Sequence, residues 1–266
     1  MEFRTIVDVK PSEVKIEPHD EVLLVGSCFA DGIGRRFQEE KFPTTVNPYG
    51  TMYNPASVLH TVERCEAAPR FAFLTLGTNH VYIEKATGEN VDNCQKRPAS
   101  LFEERELTVE ECADYLRQTV EVLRSRRPDV QVVVTVSPIR YRKYGYHESQ
   151  LSKATLLLSV ERLVLSDSTL HYFPAYEIMM DELRDYRFYA PDMLHPSEQA
   201  VDYIWERLVE AYFSPAARQW LDDWRPVKQA LAHRPFDAES EEYKALMDKT
   251  MLKVAELRKK YTTFAL

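Results

Sequence analysis

The sequence predicts an α/β protein with a mainly parallel sheet, on three observations. Short apolar runs alternate with stretches whose hydrophobic residues recur at helical spacing. The chain holds only 7 glycines, and two of them, Gly26 and Gly77, close apolar runs, where a strand must turn. Helix start and stop signals fall between the runs: Thr108 with Glu111 forms a capping-box pattern, and Pro128 ends the stretch that follows.

In order, Val22-Leu-Leu-Val-Gly26 follows a polar leader and reads as a buried strand. Phe29, Ile33 and Phe37 then mark one face of a helix ending near Glu40. Phe71 to Leu76 is a second strand, Thr108 to Arg127 a long helix, and Val130 to Val136 a strand rich in β-branched residues. Ser152 to Leu165 reads as a helix, Leu170 to Phe173 as a short strand, and Ser197 to Tyr212 as a helix introduced by Pro196. Residues 80–105 are polar and break the alternation, as a long loop or small excursion would. The expected division is residues 1–213 as the α/β domain and residues 214–266 as a helical extension without strands.

Composition narrows the function classes. Of the 266 residues, 44% are hydrophobic and 29% charged, as in ordinary globular proteins, and the net charge is -8. An acidic chain lacks the basic face that nucleic acid or anionic membrane favours, so neither is an expected partner. Cys28, Cys65, Cys94 and Cys112 form no C-x-x-C pair, which points to reduced thiols. No apolar run has the length of a signal peptide core or a membrane span, and the chain as it stands reads as cytoplasmic. His19, His60, His147, His171 and His233 have no metal-ligand spacing; neither metal nor cofactor is expected.

Two short blocks carry chemistry. Gly26-Ser27-Cys28-Phe29-Ala30-Asp31-Gly32 puts a serine between a strand and a helix, where helix N–H groups can receive a developing oxyanion. The same position suits a serine that merely caps the helix. Asp192-Met-Leu-His195-Pro places an aspartate three residues before a histidine, a spacing that lets the carboxylate orient the imidazole; both could instead cap the next helix. Gly50, in Asn47-Pro-Tyr-Gly50, and Asn79, in Gly77-Thr-Asn79-His, are candidate oxyanion donors, with a plain turn and an Asx-turn as their structural alternatives.

In order and approximate spacing these blocks resemble the SGNH (GDSL-type) hydrolases. Gly-Ser-Cys-Phe-Ala, Asn47-Pro-Tyr-Gly, Asn93-Cys94 and the Asp181–Ala190 run are similar to the bacterial GSCFA group within that superfamily. The resemblance spans roughly residues 20–212. It implies a flavodoxin-like three-layer α/β/α fold and ester hydrolysis through an acyl-serine. It also implies Ser27, Asp192 and His195 as the triad, with Gly50 and either Asn79 or Asn93 at the oxyanion. One departure stands out: the aspartate that usually precedes the serine is Gly26 here.

Among the remaining residues, Cys28 is expected to point toward the sheet as a buried thiol rather than act as nucleophile. His80 reads as a surface or supporting residue. The run Arg140-Tyr-Arg-Lys-Tyr-Gly-Tyr-His147 is expected to overhang the active edge, either as a solvated loop or to grip a sugar or an anion. The tyrosines of 172–176 and 186–189 shape the pocket or pack beneath it. The expected activity is hydrolysis of a short acyl ester, acetyl above all, on a small molecule or carbohydrate. Acyl transfer on the same fold and carbohydrate binding without catalysis are the rivals.

Overall fold

The apolar run of residues 22–26 becomes β1 (Val22–Gly26), wholly buried. It lies within a computed structural model that describes residues 4–92, 94, 97–167 and 169–261. Strands β2 (Thr44–Val46), β3 (Phe71–Leu76), β7 (Gln131–Val136) and β8 (Leu170–Tyr172) join it in one parallel sheet of order β2-β1-β3-β7-β8. Strand order reverses at β1, so a crevice opens beyond the carboxyl ends of β1 and β3, where open α/β sheets bind ligands.

Side-chain alternation sends each strand's residues to two cores. Val22, Leu24, Phe71, Phe73 and Val133 meet α1 (Cys28–Glu39), α6 (Glu198–Tyr212), α7 (Pro215–Ala232) and α8 (Glu241–Lys260). Leu23, Val25, Leu74, Val132 and Val134 meet α2 (Pro55–Arg64), α3 (Val109–Arg126) and α4 (Tyr146–Ser166). Each such leucine or valine contributes about 1.5–3 kcal/mol of burial, and the three-layer α/β/α sandwich follows.

The capping box at Thr108 and Glu111 forms as the sequence predicts. Three expectations need correction. Residues 80–105 are no irregular loop: β4 (His80–Glu84), β5 (Asn90–Val91) and β6 (Phe102–Glu106) make an antiparallel sheet of order β5-β4-β6. Only Val81, His80 and Phe102 of these strands are buried, so little alternation marks them, and cross-strand pairing holds a charged segment such as Phe-Glu-Glu-Arg-Glu. Helix α4 begins at Tyr146, a turn and a half before the expected start. Pro196 does not open α6; Ser197 is its cap and accepts a hydrogen bond from the Ala200 N–H.

Residues beyond 213 form α7 and α8, with no strand among the described residues. Trp220 and Trp224 of α7 donate their indole N–H groups to the carbonyls of Glu40 and Glu39, closing the C-terminal end of α1. The extension therefore packs behind α1. Among the described residues no helix is long and apolar enough to cross a membrane.

Candidate active site

A cavity of about 430 Å³ opens at the carboxyl ends of β1, β3 and β7. Ser27, Cys28, Tyr53 and Gly77 line one part of it, Ile139 to Lys143 another, and Leu194 with His195 the rest. Ser27 and His195 thus face one space although 168 residues separate them in the chain. No residue of α7 or α8 lines it.

Ser27 is both a helix cap and a cavity residue. Its hydroxyl accepts from the Phe29 N–H at 3.3 Å and lies 3.1 Å from the Thr75 hydroxyl. The turn before it is exceptionally tight. Gly26 has φ +140°, and a Cβ there would sit 2.0 Å from the Thr75 carbonyl oxygen. An aspartate in its place would collide with β3, which explains the departure from the GDSL pattern.

Asn47 secures this turn from the other side. Its side-chain oxygen accepts from the Gly26 N–H at 2.9 Å, and its amide nitrogen donates to Asp31 at 2.6 Å. Sequence reasoning looked past Asn47 to Gly50 in the same block. The motif's asparagine builds the nucleophile turn, in a left-handed conformation at φ +38°; an Asn-Pro step followed by Tyr-Gly was the available sequence signal.

The Asp192–His195 pair forms as the spacing predicts. Asp192 accepts the Leu194 and His195 N–H groups at 2.9 and 3.0 Å, and His195 Nδ1 at 2.5 Å. The two N–H bonds, then the imidazole, hold the Asp192 carboxyl well below the usual carboxylate range. Neither residue caps α6. With Nδ1–H directed at the carboxylate, Nε2 is left as the basic nitrogen; no hydrogen bond joins it to Ser27 among the described residues.

The predicted oxyanion donors are placed differently. The Gly50 N–H donates to the Asn47 carbonyl in a turn, and Gly50 does not line the cavity. Asn79 is buried away from it, its Nδ2 bonded to the Leu107 carbonyl and its backbone N–H to Ser152. The Ser27 N–H is shared between the hydroxyl and the carbonyl of Thr75. Asn93 lies outside the described residues. Its neighbour Cys94 is within electrostatic reach of Lys143 on the cavity wall. Cys28 also departs from expectation. It faces the cavity, where burial pushes its thiol up to about 11 and keeps it protonated at neutral pH. As the first helical residue, Cys28 offers an N–H with no acceptor in the helix.

Helix α4 holds the cavity floor with three polar residues that sequence reasoning missed. Ser149 accepts the Tyr141 N–H, Ser152 accepts the Asn79 N–H, and Lys153 donates to the Gly77 and Ser137 carbonyls at 2.7 and 2.8 Å. Burial brings the Lys153 ammonium down to about 7. His80 is buried rather than a surface residue, stacked on Tyr144 at 3.9 Å. The 140–143 run overhangs the cavity as expected, and Tyr186 and Tyr189 flank Arg140. Tyr172 instead bonds Glu177, and Tyr176 bonds Gln150. No group of three or more potential metal ligands occurs among the described residues.

Solved structures with this architecture include two worth setting beside it. A catalytic mutant of the acetylxylan esterase Axe2 from Geobacillus stearothermophilus matches at TM-score 0.52 and 11% identity, over 76% of this chain and 98% of that one. A GDSL-like lipase from Parabacteroides merdae matches at TM-score 0.50 and 14% identity, over 75% and 98%. At such identities the likeness shows the fold alone. A search of curated proteins found no match. The family comparison is more specific, because it reads the same blocks that build the cavity. The GSCFA family matches residues 21–71 and 65–208, and the C-terminal domain of GSCFA proteins matches residues 224–266. The chain belongs to the GSCFA family, on the fold of the SGNH hydrolases.

Proposed function

We propose that the protein is a serine esterase that cleaves a short-chain acyl ester, acetyl above all, through an acyl-serine on Ser27. The observation that carries this reading is the shared cavity: Ser27 at the N-terminal end of α1 lines the same space as His195, whose Nδ1 Asp192 holds from behind. His195 Nε2 removes the Ser27 proton as Oγ attacks the ester carbonyl, and Asp192 holds the imidazole in the required tautomer. Oγ must first turn from Thr75, a rotation that substrate binding supplies, since catalytic contacts are often long before substrate arrives. The Cys28 N–H, at the positive end of α1, is the backbone donor for the tetrahedral oxyanion. His195 then returns the proton to the departing alcohol and activates the water that frees the acyl group.

One observation favours a second reading, a ligand-binding protein without catalysis. Ser27 is fully buried and its N–H is engaged by Thr75. The test is hydrolysis of p-nitrophenyl acetate by the wild type, Ser27→Ala and His195→Ala, beside labelling with a fluorophosphonate. The esterase reading expects turnover and labelling that both variants lose. An inactive, unlabelled wild type would overturn it and favour the binding protein.

A further inference from the structure

The cavity wall is locally positive, against the chain's net negative charge. Arg140, Arg142 and Lys143 all line it, on a protein of net charge -8. Lys143 is neutralised: its Nζ reaches Glu104 at 2.9 Å and bonds the hydroxyls of Tyr82 and Tyr144. Arg142 is exposed, and among the described residues its guanidinium has no hydrogen bond or ion pair. Arg140 is held without a counter-charge. Its guanidinium lies 4.3 Å from the Tyr146 ring and under 6 Å from those of Tyr186 and Tyr189. It donates to the Met193 carbonyl at 3.2 Å, and a guanidinium carries five N–H donors in all. The Asp192 carboxylate is committed to His195.

Two arginines two residues apart repel one another, and nothing in the packing requires that Arg142 be charged. A pair of under-used guanidinium groups at the mouth of a cavity is suited to an oxyanion with more than one acceptor atom. Tyr53 and Tyr141, with ring centres 6.4 Å apart, provide apolar faces beside them.

We infer that the substrate is an anionic ester, bearing a carboxylate or phosphate that Arg142, with Arg140, binds at the cavity mouth. The inference builds on the esterase reading for where the acyl group sits, but its test does not depend on turnover. Two acetyl esters of near-equal size and opposite charge state are the probes: 4-acetoxybenzoate, an anion, and 4-acetoxybenzamide, neutral. In the Ser27→Ala protein, calorimetric titration measures binding of each. The anion should bind about tenfold tighter at low ionic strength, the scale of one well-placed guanidinium contact. The preference should shrink at ~0.5 M salt. Arg142→Gln should cut the ratio to roughly two- to threefold, and Arg142→Lys should keep part of it.

Turnover of the same pair by the wild type separates the two ideas. Equal binding of the two probes, or a preference that Arg142→Gln leaves intact, overturns the anionic-substrate inference even if both esters are hydrolysed through Ser27. Salt-sensitive, Arg142-dependent binding with no hydrolysis keeps the anion site at the cavity mouth and removes the esterase reading.

Discussion

Replacing Lys153 with methionine removes a buried ammonium while keeping the side chain's length, and its effect on stability should depend on pH. Lys153 is 2% exposed, and burial lowers its pKa from 10.5 to about 7. The unfolded chain therefore holds its proton well above neutrality while the folded chain releases it. Where the unfolded state binds more protons, stability rises with pH. For a folded value near 7 and an ordinary unfolded value, the gain from about pH 6 to pH 8 is on the order of 1 kcal/mol, or roughly 2–4 °C in Tm. It continues to rise toward the unfolded value, for a total of ~5 kcal/mol. Lys153→Met also strands the Gly77 and Ser137 carbonyls, at about 1–3 kcal/mol each, a cost common to every pH. The quantity to measure is thus the difference between wild type and variant by urea unfolding at each pH. The wild type's advantage should grow by about 1 kcal/mol over that interval. A flat difference would mean that Lys153 does not change protonation in this range, and the argument from its burial would fail.

Gly26→Ala should cost ~3 kcal/mol or more and abolish turnover, because its Cβ meets the Thr75 carbonyl at 2.0 Å and its φ is +140°; a variant with wild-type Tm and activity would refute this account of the turn. Asn79→Ala should lose about 1–3 kcal/mol of stability with p-nitrophenyl acetate turnover changed by only a few-fold, since its amide serves Leu107. Asn93→Ala, if that residue is the side-chain oxyanion donor, should lose roughly 10²–10³ in turnover at unchanged Tm. The reverse pattern would return the oxyanion role to Asn79.

The main sheet was readable because burial on both faces forces continuous apolar runs, as in Val22–Val25 and Val132–Val134. The small antiparallel sheet was not: its strands are mostly solvent-facing, and β6 is held by pairing with β4 rather than by its own composition. The Asp192–His195 pair was legible because its partners are three residues apart. Contacts between a side chain and the backbone across the fold leave no such trace. Ser27's engagement with Thr75, Asn79's turn toward Leu107, and Lys153's bridge between two strand ends join residues 16 to 76 positions apart. A lysine inside Leu-Ser-Lys-Ala-Thr-Leu-Leu-Leu was a signal nonetheless, for it stands on the helix face that the apolar spacing assigns to the core.

The nucleophile turn shows how one substitution reorganises a shared motif. With glycine before the serine, β1 approaches β3 closely enough for the Thr75 hydroxyl and carbonyl both to reach the Ser27 N–H. That contact takes one backbone donor out of the cavity and leaves the next, the Cys28 N–H, as the exposed end of α1. The motif's cysteine lines the cavity as a neutral thiol at the start of α1. Asn47, bonded to Gly26 and to Asp31 of the same motif, fixes the turn to the helix it introduces. The Gly-Ser-Cys-Phe-Ala-Asp and Asn-Pro-Tyr-Gly blocks are thus one structural unit, and the second block's contribution to the site is the asparagine that holds the first in place.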